Sequence, residues 1–325
     1  MPAMLPARAD LVVCFAHVAY RLLDRFGLRE TGINAFEVRD AETLAARLAE
    51  ADVLVVSGLW RNTLLERAPR LRLIQSISAG TDQYDRAALA AHGVRLASAQ
   101  GANARAVAEH AMALILALAR RLPEARDNQA RGHWRGMIGE LSQREDEVGG
   151  KTLLIVGLGG IGGRLAELSR AFGMRVLAIR RHPEAGPKTA DEVHGMGALP
   201  VLLPQADVVA LTCPLTPETA NLIDAAALAR MRPGAVLVNV ARGGCVDEAA
   251  LLAALAGGRI AGAALDVARE EPLPPASPLW RAPNLLLTPH TGGETRRYED
   301  RVIDLLLENL DRLWRSGAEL RNQIV

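Results

Sequence analysis

The sequence predicts an α/β fold with two doubly wound parallel-sheet domains, and three observations support this prediction. The chain has 325 residues, of which 50% are hydrophobic, and at common domain sizes this is enough for two domains with separate cores. Short apolar runs alternate with segments of helical periodicity, a pattern typical of βαβ units. Between two such series lies a nearly apolar segment, residues 103–122, which predicts a buried helix.

The first series contains four apolar runs of strand length with helical segments between them. The predicted strands are residues 11–16, 53–56, 71–77 and 94–97. The predicted helices are residues 41–50 and 61–67. The run at 11–16 is short and is soon followed by charged residues, so we interpret it as the first strand and not as a signal peptide.

The second series contains six predicted strands, most of them followed by turn residues. They are residues 152–156, 175–179, 207–211, 235–240, 260–264 and 284–287. Six parallel strands with helices between them form a complete doubly wound sheet. Apolar residues at intervals of three and four predict a helix over residues 294–316, and the polar region 126–150 predicts an exposed excursion.

Composition excludes several classes of protein. The formal net charge is +1 and only 3% of residues are aromatic, which argues against nucleic-acid binding and against a polybasic membrane surface. The longest apolar stretch, residues 111–119, is far shorter than the ~20 residues of a membrane span. Three cysteines without a CxxC pair predict a cytoplasmic protein, and we expect neither a disulfide nor a metal site.

A glycine-rich turn follows the predicted strand 152–156 and precedes a helical segment. Its sequence, Gly157-Leu158-Gly159-Gly160-Ile161-Gly162, fits G-x-G-x-x-G. In this motif the glycines permit a tight turn, close approach to a pyrophosphate and close helix–strand packing, while the helix N-terminus offers N–H groups. An ordinary glycine turn is the alternative. The strand–turn–helix context favours a Rossmann domain that binds a dinucleotide.

The end of the next predicted strand bears on the choice of dinucleotide. NAD sites usually carry an Asp or Glu there to accept from the ribose hydroxyls, whereas this chain has Arg180 and Arg181. Arginine can pair with a 2′-phosphate, but 36 of the 325 residues are arginine, so the missing acid is the firmer half of the argument. We predict a preference for NADP(H), with NAD(H) possible if Glu184 takes the acid's place.

Three polar residues follow predicted strand ends in the second series. Arg242 follows residues 235–240, Glu271 lies in a Pro-rich loop, and His290 follows the last strand. Open α/β sheets bind ligands at the carboxyl ends of their strands. There a histidine can protonate a carbonyl oxygen, and a carboxylate beside the histidine can orient its ring. A guanidinium can bind a substrate carboxylate. Taken singly, each residue is explained as well by an ordinary surface or core position.

Several motifs in the same order resemble the D-isomer-specific 2-hydroxyacid dehydrogenases over nearly the whole chain. They are the glycine turn, Cys213-Pro214-Leu215-Thr216-Pro217-Glu218-Thr219, residues 239–247, residues 265–273, and Thr288-Pro289-His290. The resemblance, which is strongest to NADP-dependent glyoxylate/hydroxypyruvate reductases, implies a dinucleotide-binding domain at 102–291. This domain would be inserted in a flavodoxin-like substrate domain built from 1–101 and 292–325. The resemblance also implies a homodimer with its contact at 103–150.

The resemblance assigns roles to single residues. It implies that Arg242 binds substrate, Glu271 pairs with the histidine and His290 is the acid/base. Residues 78–82 resemble a substrate loop in which the N–H groups of Ala79 and Gly80 bind a carboxylate, although ordinary turn chemistry explains the same residues. Cofactor contacts are implied at Gly157, Gly159, Gly160, Ile161, Gly162, Arg180, Arg181, Cys213, Pro214, Ala241, Asp266 and Gly293.

Together these observations predict an NADP-preferring reductase that converts small 2-oxo acids to D-2-hydroxy acids. One alternative is an NAD-dependent relative, such as a phosphoglycerate or phosphonate dehydrogenase. The other is a corepressor-like protein that senses a dinucleotide with little catalysis. Cofactor titration and a turnover assay with 2-oxo acids distinguish the three.

Overall fold

The computed structural model describes residues 5–186, 189–315 and 319–325. Ser316, the last residue of the predicted C-terminal helix, lies outside these ranges. The strands within them are β1 (Val12–Ala16), β2 (Asn34–Val38), β3 (Val53–Val56), β4 (Leu73–Ser76), β5 (Arg95–Ala97), β6 (Thr152–Val156), β7 (Arg175–Ile179), β8 (Glu192–His194), β9 (Val208–Leu211), β10 (Val236–Asn239), β11 (Gly262–Leu265) and β12 (Leu285–Leu287).

The α-helices of the described ranges connect these strands. They are α1 (Leu22–Gly27), α2 (Ala41–Arg47), α3 (Arg86–Ala91), α4 (Ala104–Ala119), α5 (Leu122–Ala130), α6 (Gly160–Ala171), α7 (Leu199–Leu202), α8 (Ala225–Arg230), α9 (Glu248–Ala256) and α10 (Tyr298–Trp314). Short 3₁₀ helices occur at Leu48–Glu50, Asn62–Arg67, Leu141–Gln143, Met196–Ala198, Leu203–Gln205, Gly243–Cys245 and Pro278–Arg281.

The chain divides into two compact units. Unit 1 contains Met1–Asn103 and Glu294–Val325, and unit 2 contains Ala104–Gly293. Each boundary between the units lies two residues after the boundary that the sequence predicts. The sheet of unit 1 is parallel with the strand order β2-β1-β3-β4-β5. This is the order of flavodoxin-like folds.

The sheet of unit 1 is covered on both faces because its strands are apolar on both sides. Along β1, Val13 and Phe15 belong to a core formed with α1 and α10. Cys14 and Ala16 belong to a second core formed with α2 and α3. Burying a side chain of leucine size stabilises a fold by about 1.5–3 kcal/mol, so both faces contribute.

A buried polar contact fixes the C-terminal helix of unit 1. The Asn309 side chain of α10 is fully buried, and its Nδ2 donates to Gln75 Oε1 of β4 at 2.9 Å. Its Oδ1 accepts from the Arg321 N–H at 2.8 Å. The last residues then pair with β5, where the Ile324 N–H donates to the Leu96 carbonyl at 2.7 Å. The apolar stripe of α10 and this polar centre together hold the chain end in unit 1.

Unit 2 contains a seven-stranded parallel sheet with the order β12-β11-β10-β9-β6-β7-β8. Counted from β6, this is the Rossmann order 3-2-1-4-5-6 with one further strand at the β12 edge. Side chains of α4 and α6 lie in the core on one face. Helices α7, α8 and α9 contribute to the core on the other face. The doubly wound prediction is therefore confirmed for both units.

Several local features differ from the sequence predictions. Strands β2 and β8 were missed because each lies at a sheet edge, carries polar residues and is incompletely buried. The helical segment predicted at residues 61–67 is present as a 3₁₀ helix, Asn62–Arg67. The region 126–150 was predicted only as an exposed excursion, and its first residues, 126–130, are the end of α5. The predicted buried helix 103–122 is α4, which ends at Ala119 before a residue with positive φ, Arg121.

Two global features follow from the described residues. No helix among them is long and apolar enough to span a bilayer. Cys14, Cys213 and Cys245 all lie in the described part of the chain, where each is a buried free thiol.

Candidate active site

The glycine turn between β6 and α6 requires glycine at two positions for steric reasons. Gly157 has a φ of +108°, and a Cβ there would lie 2.6 Å from the backbone nitrogen of Cys213. A Cβ on Gly162 would lie 2.2 Å from the Gly157 carbonyl oxygen. The Thr212 hydroxyl, which the sequence analysis did not single out, donates to that same carbonyl at 2.7 Å. The turn is therefore held tightly against the end of β9.

Gly159 differs because the space beside it is open. No atom of the described residues lies within 4 Å of the position of a Cβ on Gly159. Gly159 is also the N-cap of α6, and glycine has no side chain to cap the N–H groups of Gly160, Ile161 and Gly162. Uncapped N–H groups and the helix dipole favour an anion at this end. The turn fits the pyrophosphate of a dinucleotide.

The two arginines after β7 occupy different environments. Arg180 is half-buried and folds back on the following loop, where its Nη2 donates to the Pro183 carbonyl at 3.0 Å. Arg181 is exposed. A hydrogen bond from Thr216 and, as a weaker cause, the charge of Arg181 lower the pKa of Glu218. Arg181 therefore lies within electrostatic range of the loop after β9.

The alternative acid, Glu184, is also exposed. Its carboxylate lies 3.9 Å from His182 Nδ1 in the same loop. A weak pair of this kind on the surface contributes little stability.

The remaining predicted cofactor contacts lie in loops after β9, β10 and β12. Cys213 is buried, and its pKa is raised by the hydrogen bond with Cys245 and by burial, so this thiol is neutral. Pro214 is exposed and Gly293 is half-buried. The N–H of the buried Ala241 donates to Asn239 Oδ1 at 3.0 Å.

The parallel register brings the loops of the three predicted catalytic residues to one edge of the sheet of unit 2. Asn239 at the end of β10 pairs with Leu265 at the end of β11, which in turn pairs with Leu287 of β12. Arg242 lies three residues after the end of β10, and His290 lies three residues after the end of β12. The position of a Cβ on Gly243 is only 2.0 Å from the Ala268 carbonyl carbon, so the loop of Arg242 packs directly on the loop that leads to Glu271.

Glu271 and His290 form a direct hydrogen bond. His290 Nδ1 lies 2.7 Å from Glu271 Oε2, and Glu271 Oε1 accepts from the Ala268 N–H at 2.9 Å. Both side chains are partly exposed. Arg242 is half-buried, and its Nη1 donates to the Ala241 carbonyl at 2.8 Å. The carboxylate therefore takes Nδ1 of the ring, which leaves Nε2 for a reacting group.

Asp266 accepts several hydrogen bonds from the segment that carries His290. It accepts from the Thr288 hydroxyl at 2.6 Å, the Thr291 N–H at 3.1 Å and the Gly292 N–H at 3.0 Å. Burial raises the pKa of this carboxyl, but the hydrogen bonds from His110, Thr288 and Gly292 outweigh burial and lower it below its usual value. Asp266 is therefore a buried carboxylate whose hydrogen-bonding capacity is largely used within unit 2.

His110 was missed as a site residue. Its Nε2 lies 3.0 Å from the Thr288 hydroxyl and 3.3 Å from Asp266 Oδ1. The available signal was its polar character within a nearly apolar helix. A polar residue in such a helix can as well be explained by local solvation, so the sequence did not connect it with residues 156 or more positions away.

The predicted substrate loop lies in unit 1 after β4. Ala79 is exposed and Gly80 is half-buried. The preceding Ser78 shares a 2.6 Å hydrogen bond between its hydroxyl and that of Ser57, and its carbonyl accepts from the Ala99 N–H at 2.9 Å. The backbone at Ala79 and Gly80 thus follows an anchored residue.

Comparison with known proteins gives the family. Residues 112–292, more than half of the chain, match the family model described as D-isomer specific 2-hydroxyacid dehydrogenase, NAD binding domain. The chain belongs to the D-isomer specific 2-hydroxyacid dehydrogenase family. Unit 2 is accordingly an NAD(P)-binding domain.

Individual relatives show more than one activity within this family. D-3-phosphoglycerate dehydrogenase of Mycobacterium tuberculosis is 40% identical over 268 residues, which are 81% of this chain and 49% of that protein, so the chain spans about half of its length. Glyoxylate/hydroxypyruvate reductase B of Citrobacter koseri is 38% identical over 295 residues, 90% of this chain and 89% of the relative.

A solved structure matches nearly the whole chain. It is the NADPH-dependent glyoxylate/hydroxypyruvate reductase of Sinorhizobium meliloti in complex with NADP and malonate. The TM-score is 0.80 at 29% identity, and the match covers 97% of each chain.

The close packing of the glycine turn leaves no space for a side chain at Gly157. We expect Gly157→Ala to weaken NAD(P)H binding by about tenfold or more, because the new Cβ must displace the backbone of Cys213 and the positive φ strains alanine. Isothermal titration calorimetry measures the affinity. Gly195→Ala is the matched control, since no described atom lies within 4 Å of its Cβ position and its φ is −78°. Equal affinities of both variants would contradict the steric argument.

Proposed function

We propose that the protein is an NADP-preferring reductase of small 2-oxo acids that forms D-2-hydroxy acids. The observation that carries this proposal is the hydrogen bond of 2.7 Å between His290 Nδ1 and Glu271 Oε2, in a strand-end position next to the loop of Arg242. This pair supplies an oriented proton donor, which carbonyl reduction requires. The glyoxylate/hydroxypyruvate reductases among the relatives support the same substrate class.

The roles of the side chains follow from their hydrogen-bonding capacity. A bound nicotinamide cofactor supplies the hydride for the carbonyl carbon. His290 gives a proton from Nε2 to the carbonyl oxygen, while Glu271 holds Nδ1 and so fixes the orientation of the ring. The second oxygen of Glu271 is fixed by the Ala268 N–H, so the carboxylate itself is positioned by the backbone.

Arg242 provides the positive charge for the substrate carboxylate. A guanidinium has five N–H donors in a planar fork, and the bond to the Ala241 carbonyl uses one of them. Bidentate binding of a carboxylate next to the reacting carbonyl both orients the substrate and stabilises negative charge on its oxygen. Ala79 and Gly80 of unit 1 stay a prediction as further donors to the carboxylate.

The proton-donor assignment predicts a selective loss of turnover. We expect His290→Ala to lower kcat with hydroxypyruvate and NADPH by about 10²–10⁴-fold, because proton transfer by a positioned group contributes that much. Glu271→Gln should lower kcat less, since the ring keeps a hydrogen-bond partner. Steady-state kinetics give both values, and calorimetry should show nearly unchanged NADPH affinity.

Glu270→Gln is the matched control for these variants, because Glu270 is the exposed neighbour of Glu271. Its kcat should equal that of the unmodified protein. Near-normal turnover of His290→Ala would exclude His290 as the proton donor.

The cofactor preference is proposed from the residues after β7. Arg181 is exposed and can reach a 2′-phosphate, whereas Arg180 also donates to the Pro183 carbonyl, so its removal would disturb the loop as well. We therefore expect Arg181→Ala to weaken NADPH binding by about tenfold or more, the loss of one charge-assisted hydrogen bond, and to leave NADH binding unchanged.

Separate titrations with NADPH and NADH test this preference. Arg230→Ala, an exposed arginine at the end of α8, is the control and should change neither affinity. Tighter binding of NADH than of NADPH by the unmodified protein would overturn the proposed preference. It would favour the second candidate, an NAD-dependent D-2-hydroxyacid or phosphoglycerate dehydrogenase, which the 40% identical relative supports. In that case 3-phosphohydroxypyruvate with NADH becomes the substrate pair to assay, and binding without any turnover would favour a dinucleotide sensor.

We also propose that the protein forms a homodimer through the excursion after α4. Trp134 and Met137 have exposed fractions of 97% and 102%, and Leu141 is exposed as well. Large apolar side chains in one exposed segment are typical of an interface. A groove of about 670 Å³ lies in the same segment and is lined by Trp134, Glu145 and other residues of it.

Sedimentation velocity tests the homodimer. We expect the unmodified chain to sediment as a dimer and Trp134→Glu to sediment as a monomer, because a buried unpaired carboxylate is costly at an apolar interface. Val201→Glu, at an exposed apolar position of α7, is the control and should leave the dimer intact. A monomeric unmodified protein would contradict the proposal.

A further inference from the structure

His110 is the polar side chain of α4 that contacts the loop of His290. Seven residues of α4 are buried, and they are Ala106, Val107, Ala108, Ala111, Met112, Leu114 and Ile115. His110 lies among them with a side chain that is 23% exposed, and its ring packs near Gly292, where a Cβ would lie 3.0 Å from His110 Cδ2. Its Nε2 is directed at Thr288 and Asp266, so the contact is polar as well as steric.

The donors and acceptors of this cluster can be assigned by counting protons. The Thr288 hydroxyl has one proton, and the 2.6 Å distance to Asp266 Oδ1 shows that it donates there, since an ionised carboxylate only accepts. Thr288 Oγ1 must then accept from His110 Nε2, 3.0 Å away. Nε2 of His110 therefore carries a proton. The result is a directed chain of hydrogen bonds from His110 through Thr288 to Asp266.

The end of this chain holds a strained turn. His290 has a φ of +56°, and a non-glycine residue stays in the strained left-handed region only where its surroundings hold it there. The next two residues, Thr291 and Gly292, donate their N–H groups to Asp266. Before the turn, the Thr288 N–H donates to the Leu265 carbonyl at 3.0 Å. His290 is thus held on both sides by groups that Asp266 and Thr288 fix.

We propose that His110 is a positioning residue of this enzyme, which acts through Thr288 and Asp266 to fix the left-handed turn that presents His290. The proposal rests on the proposed function for the role of His290 as proton donor. It assigns α4 a part in the reaction beyond packing. It requires that the Nε2–H donor, and not merely the volume of the ring, be essential.

Two substitutions at one position separate the hydrogen bond from the volume. His110→Leu keeps an apolar side chain of similar size and removes the donor, whereas His110→Gln offers an amide N–H at comparable reach. We expect His110→Leu to lower kcat for hydroxypyruvate by about 10–100-fold, because small displacements of a catalytic group have effects of this size. The KM for substrate should change by less than about threefold, and His110→Gln should recover most of kcat. Glu109→Gln, at the exposed neighbouring residue, is the control and should match the unmodified protein.

Amide hydrogen exchange gives a readout that does not depend on turnover. We expect the Thr291 and Gly292 amides to exchange at least about tenfold faster in His110→Leu, because Asp266 holds them less firmly, and to be protected again in His110→Gln. Thr288→Val, which breaks the chain at its centre, should reproduce the effect of His110→Leu and serves as the second variant if the leucine variant does not fold.

The outcomes are distinct. Unchanged kcat and unchanged exchange in His110→Leu would overturn the proposal, as would equal impairment of the leucine and glutamine variants, which would show that the ring is needed for packing alone. If the unmodified protein reduces no 2-oxo acid, the proposed function is wrong, while the exchange comparison still decides whether His110 fixes the turn.

Discussion

Parallel strand pairing is the constraint on which the rest of unit 2 depends. In a parallel sheet the carboxyl ends of all strands lie on the same side. After each strand the chain must therefore return, through a helix or a loop, to the side where the strands begin. The register of β10, β11 and β12 therefore brings the loops of Arg242, Glu271 and His290 to the same edge, although up to 48 positions separate them in the chain. The strand order and register thus bring these three loops together, and the loop conformations set the distances between their side chains.

Where the strands begin, aspartate side chains connect neighbouring strands in both sheets. Asp52, Asp191 and Asp207 each stand one residue before a strand, and each carboxylate accepts an N–H from the beginning of the neighbouring strand at 2.8–2.9 Å. Each is also paired with an arginine, at 2.9, 3.6 and 2.7 Å respectively. Asp266 uses the same hydrogen-bonding chemistry at the carboxyl edge. There, its partners are a hydroxyl, a histidine and the N–H groups of a turn, so the carboxylate fixes a loop instead of a register.

Local sequence patterns predicted most of the fold. Buried parallel strands are continuous apolar runs, and the turn after β6 requires glycine because a larger side chain would collide with the backbone. The edge strands β2 and β8 were not predictable in this way, since they are only partly buried and their sequences carry polar residues. Position near strand ends made Arg242, Glu271 and His290 candidates, and the resemblance to the family was needed to select them and to assign their roles. The contact of His110 with Thr288 could not be predicted, because it depends on how α4 packs on the sheet, and periodicity does not contain that information.

The sequence alone also could not show which arginines contact a ligand. Thirty-six arginines in 325 residues make any one of them uninformative in the sequence. In the structure some of them pair with aspartates at strand starts, as Arg70 and Arg232 do. Arg180 is likewise engaged, with the Pro183 carbonyl. The arginines that matter for a ligand are therefore those near an open binding surface whose charge is not required by the fold. By this criterion the proposed ligand contacts Arg181 and Arg242 differ from Arg70, Arg180 and Arg232, since Arg181 is exposed after β7 and Arg242 uses one donor on its neighbouring carbonyl.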